Sequence, residues 1–220
     1  MRFSRIFGSL LLLLTITGCQ TTYYDALEKV GIPKRELMIK RIESTQEAQQ
    51  DVQKQFQSAL DQFQSIVVFN GGNLEELYKK LNREYEDSVS AADKVNSRIQ
   101  SIQHVSEALF DEWQEELNLY SSASLRSASA RKLNETKRQY QRMITSMEKS
   151  AKRMQPVLDV FQDQVLFLKH NLNAQAISSL KGEFAGVKRE IDQLITQMER
   201  SIAESQRFVE QLRKTDSGNS

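Results

Sequence analysis

Apolar residues recur at steps of three and four positions along most of this chain, with polar residues between them. Such spacing places the apolar residues on one face of an α-helix, and its regular alternation over several heptads is typical of helices that pack along a seam. The most regular series runs through Ile177, Leu180, Phe184, Val187, Ile191, Leu194 and Met198. The same spacing extends over residues 133–168 and 74–120, and a less regular helical face covers residues 38–66. The pattern therefore predicts four long amphipathic helices.

The turn between the first two helices is the clearest in the sequence. It lies in the stretch VVFNGGNLEE, where Gly71 and Gly72 can adopt the positive φ angles that end a helix. Asn73 and Glu76 follow as an N-cap residue and its capping-box partner. This pair predicts that the second helix begins directly after the glycines.

Two further turns separate the remaining helices. In KHNLNAQAI, Asn171 and Asn173 can close the third helix and cap the fourth. The boundary in YSSASLRSASARK is weaker, because it contains neither glycine nor proline, and serine and alanine both tolerate a helix. The sequence leaves both a turn and a continuous helix open for residues 121–129.

Helices of similar length joined by short turns favour an all-α fold, an elongated antiparallel four-helix bundle or coiled coil about 60 Å long. We assign residues 24–214 to this domain. A short helix over residues 23–30 is expected to precede the first long helix, which starts near Pro33, a residue that a first helical turn tolerates. Residues 215–220 are expected to form a disordered tail.

The N-terminus has the three-part composition of a targeting segment. Arg2 and Arg5 precede an apolar stretch over residues 6–16, and small residues then lead to Cys19, the only cysteine, within LLLLLTITGCQTTYYD. The apolar stretch is shorter than the roughly 20 residues that cross a bilayer as a helix. A buried structural cysteine behind an ordinary signal anchor is the alternative interpretation.

The motif ITGC resembles the lipobox of bacterial lipoproteins, in which the cysteine becomes the first residue of the mature chain. The resemblance implies a signal peptide over residues 1–18, covalent lipid on Cys19 and a short lipidated tether over residues 19–23. In such lipoproteins an Asp after the cysteine tends to retain the protein in the inner membrane, whereas Gln20 stands here. We therefore expect a protein that is lipid-anchored at the periplasmic face of the bacterial outer membrane.

Composition narrows the function classes further. Of the 30 basic residues, two lie in the predicted signal peptide, which leaves 28 against 29 acidic residues. The mature chain therefore has no global basic field that would draw it onto nucleic acid. With its single thiol carrying lipid it would also have no disulfide, so packing alone would hold the bundle together.

Few residues offer catalytic or metal-binding chemistry. Di-iron sites in helical bundles use Glu-x-x-His pairs, but Ser101 and Phe167 stand three positions before the two histidines, His104 and His170. The glycine pair of the first turn lacks the lysine and the hydroxyl residue of a phosphate-binding loop. The sequence therefore predicts no enzyme, no metal site and no cofactor besides the lipid on Cys19.

Four stretches of the chain resemble one known family. They are YYDALEKVGIPKRELMIKRIE, VVFNGGNLEELY, LFDEWQEEL and PVLDVFQDQVLFLKHNLNAQAISSL. They are similar to proteobacterial lipoproteins grouped as domain of unknown function family 2959, and the likeness covers nearly the whole mature chain. The resemblance implies an envelope location and a helical fold, and it carries no activity, ligand or catalytic residue.

These features favour a non-enzymatic scaffold, spacer or adaptor that acts through helical protein interactions. Its partner would be an envelope protein that the sequence does not identify, and self-association into a homo-oligomer is left open. The alternative is a bundle that binds a small molecule or lipid in an apolar cavity lined by Met147, Phe161 and Phe184. A cavity on the order of several hundred Å³ would favour the ligand-binding function, whereas a filled seam would favour the scaffold.

The bundle topology places the two asparagine-containing turns together at the end far from the membrane. Their apolar residues would form a cluster of Val67, Val68, Phe69, Phe167, Leu168 and Leu172. The candidate partner site at this end comprises Phe69, Asn70, Gly71, Gly72, His170, Asn171, Leu172 and Asn173. The alternative is that the cluster only closes the end of the bundle.

Overall fold

The computed structural model of this chain describes residue 24, residues 31–69, residue 71 and residues 73–217. Its elements are α1 (Lys34–Val67), α2 (Leu74–Glu116), a 3-10 turn (Leu117–Leu119), α3 (Ala123–Lys152), α4 (Met154–His170) and α5 (Ala174–Ser217). No strand occurs in these ranges, and the prediction of an all-α bundle is confirmed. The predicted signal peptide, the tether with Cys19, the short helix apart from Tyr24, Asn70 and Gly72 lie outside the described residues.

The helices pack as four antiparallel rods, because α3 and α4 follow one another along a single rod. α1 packs against α2 and α5, and the α3–α4 rod packs against the same two helices from the opposite corner. The connecting turns are short, so consecutive rods run in opposite directions. The longest helix, α5, has 44 residues and spans about 66 Å.

The third rod is broken where the apolar pattern predicts an unbroken helix. α3 ends at Lys152 and α4 begins at Met154, with Arg153 in a turn between them. Pro156 follows shortly after, and a proline has no backbone N–H and clashes with the carbonyl group four positions earlier, here that of Lys152. The proline accounts for the break, although Met154 and the apolar residues beyond it stay in the core.

The serine-rich junction between α2 and α3 is a turn. α2 passes into the 3-10 turn, and α3 begins after Ser122, whose hydroxyl accepts the backbone N–H of Leu125 at 3.4 Å. Serine is a preferred N-cap residue, so Ser122 supplies the helix-start signal in a stretch without glycine or proline. The serines from position 124 onward lie within α3.

α5 continues to Ser217, past the predicted end of the helical domain at residue 214. The prediction of a disordered tail is therefore corrected for residues 215–217, while residues 218–220 lie outside the described part of the chain. The physical reason lies in the sequence, because Gly218 is the first residue there with a strong tendency to end a helix.

The predicted apolar faces form one continuous core through the middle of the bundle. Of the seven seam residues predicted in α5, six are buried and Phe184 is half-buried. The ring centroid of Phe63 in α1 lies 6.2 Å from that of Phe161 in α4 and 5.7 Å from that of Phe184. Burying a side chain of this size stabilises the fold by about 1.5–3 kcal/mol, so this aromatic cluster ties three of the four rods together.

A buried hydrogen-bond network fixes the register of three rods. Gln49 of α1 is fully buried, and its side-chain amide donates to the hydroxyl of Ser150 at 2.8 Å and to that of Ser201 at 3.0 Å. Ser150 belongs to α3 and Ser201 to α5. A buried amide that loses its partners costs about 1–3 kcal/mol, so sliding any of these helices against the others is unfavourable.

At the end where α1 begins, the α2–α3 pair extends beyond the first residue of α1. We call this the proximal end and the opposite one the distal end. The ammonium group of Lys34, the first residue of α1, lies 3.1 Å from the carboxylate of Glu112 in α2. Leu119 lies about 10 Å further along. We call residues 117–125 the hairpin tip, and its 3-10 turn contacts only α2 and α3 among the described elements.

Candidate functional site

The α1–α2 turn keeps the local structure that its sequence predicts. Gly71 has a φ angle of +137°, and the side chain of Asn73 accepts the backbone N–H of Glu76 at 3.2 Å. The carboxylate of Glu76 pairs with Lys80 at 3.1 Å and so does not complete the capping box. Val68, at the end of α1, is 58% exposed. The turn therefore presents an apolar side chain to solvent at the distal end.

The α4–α5 turn uses its asparagines as helix caps, which confirms their predicted role. The side-chain amide of Asn171 donates to the carbonyl group of Phe167 at 2.9 Å, and the side chain of Asn173 accepts the backbone N–H of Ala176 at 3.0 Å. Each asparagine of the predicted partner site thus forms one hydrogen bond within the turn, and His170, Leu172 and Asn173 are the exposed residues there.

Both turns lie at the distal end, as the bundle topology predicts, but their apolar residues divide between core and surface. Val67 and Leu168 are buried in the main core, and Phe69 is half-buried. α1 and the α3–α4 rod stand at opposite corners of the bundle, where their described backbones are not direct neighbours and they meet through core side chains such as Gln49 and Ser150. The exposed members of the predicted cluster are Val68, Phe167 and Leu172. Val67 and Leu168 therefore help to close the distal end of the bundle, whereas the exposed members of the cluster lie on its outer surface.

Large apolar side chains are exposed at the two ends of the bundle and nowhere else in the described ranges. Those at the distal end are Val68, Leu166, Phe167 and Leu172. Those at the hairpin tip are Leu119, Tyr120 and Leu125. Because exposed apolar surface marks contacts with proteins or membranes, the two ends are the candidate working surfaces of the molecule.

An open groove of about 990 Å³ runs between α3 and α5. The basic side chains along it are Arg138, Arg142, Lys149, Arg200 and Arg207. Within the described part of the chain only Arg207 of this set forms an ion pair, with Glu204 at 2.6 Å. Glu199 also lines the groove, so cations outnumber acids there, and the groove favours anionic groups.

The basic groove was not predicted from the sequence, because the net charge of the whole chain is near zero. The available signal was local. α3 carries eight basic and two acidic residues, a bias that the sum over the chain conceals. A charge count for each predicted helix would have indicated one basic face on an otherwise balanced molecule.

The residues predicted to line a ligand cavity are packed into the core. Met147 and Phe161 are 0% and 1% exposed, and Phe184 is half-buried against Phe63. None of the three predicted residues lines the groove between α3 and α5 or three further surface grooves among the described residues. The packing of the seam is that of a filled bundle at these positions.

The described residues include both histidines and most of the carboxylates of the chain, which are the candidate metal ligands. No three or more His, Cys, Asp or Glu side chains among them come together in a group that could hold a metal ion. His104 lies on α2 and His170 ends α4, and both are exposed. No helix in the same ranges is both long enough and apolar enough to cross a bilayer.

Comparison with known proteins identifies a family for this sequence. Residues 23–212 match the model of the family described as "Protein of unknown function (DUF2959)". The match includes every helix of the bundle except the last turn of α5. No curated protein matches the chain, and no solved structure matches it.

Proposed function

The chain belongs to this family of proteins of unknown function, DUF2959, and from the geometry of its two ends we propose that it is an outer-membrane lipoprotein whose periplasmic body is a scaffold or spacer. In this proposal, lipid on Cys19 anchors the proximal end at the membrane. The distal end binds an envelope protein through helical contacts. The body acts by holding that contact at a fixed distance from the membrane and catalyses no reaction.

The observation that carries the proposal is the distribution of exposed apolar side chains on a long rod. They occur at the two ends, about 66 Å apart by the length of α5, and the described sides of the rod carry none of them. A rod with polar sides and apolar ends makes its contacts end-on. This is the arrangement that a spacer between a membrane and a partner requires.

The position of Tyr24 supports an anchor at the proximal end. Its hydroxyl accepts a hydrogen bond from a guanidinium N–H of Arg41 at 2.9 Å, and Arg41 also donates to the carbonyl group of Ser101 in α2 at 2.7 Å. The guanidinium carbon lies 5.3 Å from the centre of the tyrosine ring, within cation–π range. Tyr24 is therefore tied to the half of the bundle where α1 begins, and Cys19 precedes it closely in the sequence.

The anchor is tested by metabolic labelling with a fatty-acid analogue. We expect label on the wild-type chain and none on Cys19→Ala, which would stay unprocessed at the inner membrane. Gln20→Asp is the matched variant: it should keep the label and move the protein from the outer to the inner membrane fraction. Equal labelling of wild type and Cys19→Ala would overturn the proposed anchor.

The distal contact is tested by a photocrosslinking amino acid at Leu172 in intact cells. We expect a discrete protein adduct from this position, because Leu172 is exposed among the apolar residues of the distal end. Lys181, exposed on the side of α5, is the matched control and should give none. Identical adducts from both positions would show general crowding instead of an end-on contact.

A further inference from the structure

Three large apolar side chains are exposed together at the hairpin tip. Leu119 is 83% exposed, Leu125 is 58% exposed and Tyr120 is 37% exposed. Leu119 ends the 3-10 turn, Tyr120 follows it and Leu125 lies in the first turn of α3. The 3-10 turn touches no described element except α2 and α3, so the other described helices provide no cover for it.

The tip is presented by a small core of its own. Phe110, Leu117 and Leu133 are buried together between α2 and α3. Next to them the indole N–H of Trp113 donates to the hydroxyl of Ser129 at 2.9 Å, which joins the two helices. This small core and the Trp113–Ser129 hydrogen bond hold the two helices together, and they leave Leu119, Tyr120 and Leu125 exposed.

The length of chain before Tyr24 determines how close the tip comes to the lipid anchor. Tyr24 is level with Ser101, because Arg41 bonds to both. Cys19 precedes Tyr24 by five residues, which reach at most about 18 Å when fully extended. Leu119 lies about 27 Å beyond Ser101 along the helix. With Cys19 at the membrane surface, the rod upright and these five residues fully extended, the tip reaches that surface and crosses it by roughly 9 Å, a depth typical of interfacial insertion.

The geometry points to a second membrane contact: we propose that the hairpin tip inserts into the interfacial region of the bilayer that carries the lipid on Cys19. This inference rests on the proposed lipid anchor. Leu119 and Leu125 enter the acyl boundary, and Tyr120 lies at the level of the headgroups, where its ring and hydroxyl meet apolar and polar surroundings respectively.

The charges beside the tip differ between its two helices: exposed Glu115 and Glu116 end α2, whereas cations begin α3. The first twelve residues of α3 carry Arg126, Arg131 and Lys132 and no acid. A guanidinium N–H of Arg126 donates to the backbone carbonyl group of Tyr120 at 2.7 Å, so this cation is held against the turn itself. Cations that flank inserted apolar residues attract the phosphates of anionic lipids. Anchored at two points, the rod stands away from the membrane.

Trp113, the only tryptophan of the chain, provides a direct test. It lies about 9 Å from Leu119 along the helix. The lipidated chain is reconstituted into vesicles of phosphatidylethanolamine and phosphatidylglycerol whose acyl chains carry bromine near the headgroups, because bromine quenches tryptophan fluorescence at short range. Flotation of the protein together with the vesicles shows that the lipid anchor is in the bilayer. A decrease in Trp113 fluorescence relative to unbrominated vesicles shows that the tip is inserted. We expect the wild-type chain to float with the vesicles and its Trp113 fluorescence to be quenched.

Paired variants separate the tip from other surfaces. Leu119→Asp with Leu125→Asp should still float and should lose the quenching, whereas Val68→Asp with Leu172→Asp at the distal end should keep both. All four residues are exposed, so the helical content measured by circular dichroism should not change. Arg138→Gln with Arg142→Gln tests whether the rod instead lies flat through the basic groove, and it should keep the quenching.

The outcomes distinguish this inference from the proposal on which it rests. Flotation of the wild-type chain without quenching would overturn the tip contact alone. Quenching that persists in the tip variant and disappears in the groove variant would overturn it in favour of a rod lying on its side. Failure of the wild-type chain to float would overturn the proposed anchor and this inference together.

Discussion

The middle of the bundle and the hairpin tip are both built from helices with apolar faces, yet only the middle covers those faces fully. The middle contains large apolar side chains that are 0% exposed, among them Phe56, Ile102 and Leu194. At the tip, by contrast, Leu119 is 83% exposed and Leu125 is 58% exposed. The spacing of apolar residues determines which face of a helix is apolar. Whether that face is covered depends on where the neighbouring helices begin and end.

The two regions differ for a structural reason. In the middle, each apolar face meets helices from two neighbouring rods. At the tip, the 3-10 turn packs only against α2 and α3 among the described elements, and α1 starts level with Glu112. The small cluster of Phe110, Leu117 and Leu133 joins α2 and α3. We therefore expect the middle to determine global stability and the tip to open locally without unfolding the rest.

The largest effect is expected from a charge placed in the middle. Leu194→Asp buries an unpaired carboxylate at a position that is 0% exposed, so it must either ionise in an apolar site or take up a proton. We expect a loss on the order of 4 kcal/mol in the free energy of unfolding, measured by chemical denaturation.

Gln193→Asp is the matched control for that substitution. Gln193 is exposed, and its side chain accepts a hydrogen bond from Arg153, so a carboxylate there stays solvated beside a cation. We expect a change within about 0.5 kcal/mol. Similar losses in the two variants would show that the seam assignment in α5 is wrong.

A smaller and local effect is expected at the tip. Leu117→Ala removes part of the cluster between α2 and α3, and we expect a local loss of about 1–2 kcal/mol, less than for a leucine surrounded by four rods. Hydrogen exchange should accelerate for the amides of residues 113–133 and stay unchanged in α1. Leu194→Ala in the middle should accelerate exchange in all helices. A uniform acceleration in Leu117→Ala would contradict the separation of the two regions.

The smallest effect concerns Tyr140, where the middle meets the hairpin. Its ring packs against Phe110 and Phe208 at centroid distances of 5.3 and 6.2 Å, and burial raises the pKa of its hydroxyl above the ordinary value near 10.0. Between the ordinary and the raised pKa the unfolded chain releases a proton that the folded chain keeps, so stability is lost as the pH rises. Tyr140→Phe should lack this loss when urea denaturation is compared at about pH 9 and 11. If the free energy of unfolding of the wild type and of Tyr140→Phe changed equally with pH, the loss of stability could not be assigned to the Tyr140 hydroxyl.

The helices and two of the turns follow from local sequence features. The seam of α5 is predicted by its spacing, and the caps at Asn73 and Asn173 form the hydrogen bonds that their positions indicate. The break at Arg153 was also readable, since Pro156 removes a backbone donor, but a regular apolar series on both sides conceals it. Helices, caps and helix breaks depend on residues close together in the sequence, so the sequence is sufficient to predict them.

The candidate surfaces depend on information that is not local. The protrusion of the hairpin tip follows from the level at which Lys34 meets Glu112, a pairing between residues far apart in sequence. The basic groove combines Arg142 of α3 with Arg200 of α5. Spacing within one helix cannot predict either feature, because both are set by the register between helices. The distal end was predicted as a location, while its division into buried and exposed residues required the structure.

The orientation of the rod on the proposed membrane tests the account most directly. Cys19 carries lipid in the proposed protein, so an introduced cysteine is the only free thiol and takes a single dye. Asn118→Cys labels the hairpin tip and Lys169→Cys the distal end, both at exposed positions. With an energy-transfer acceptor in the bilayer, we expect strong transfer from Asn118→Cys and weak transfer from Lys169→Cys, because the two sites lie about 70 Å apart along the rod. Equal transfer from both sites would mean that the rod lies flat, and it would contradict the account.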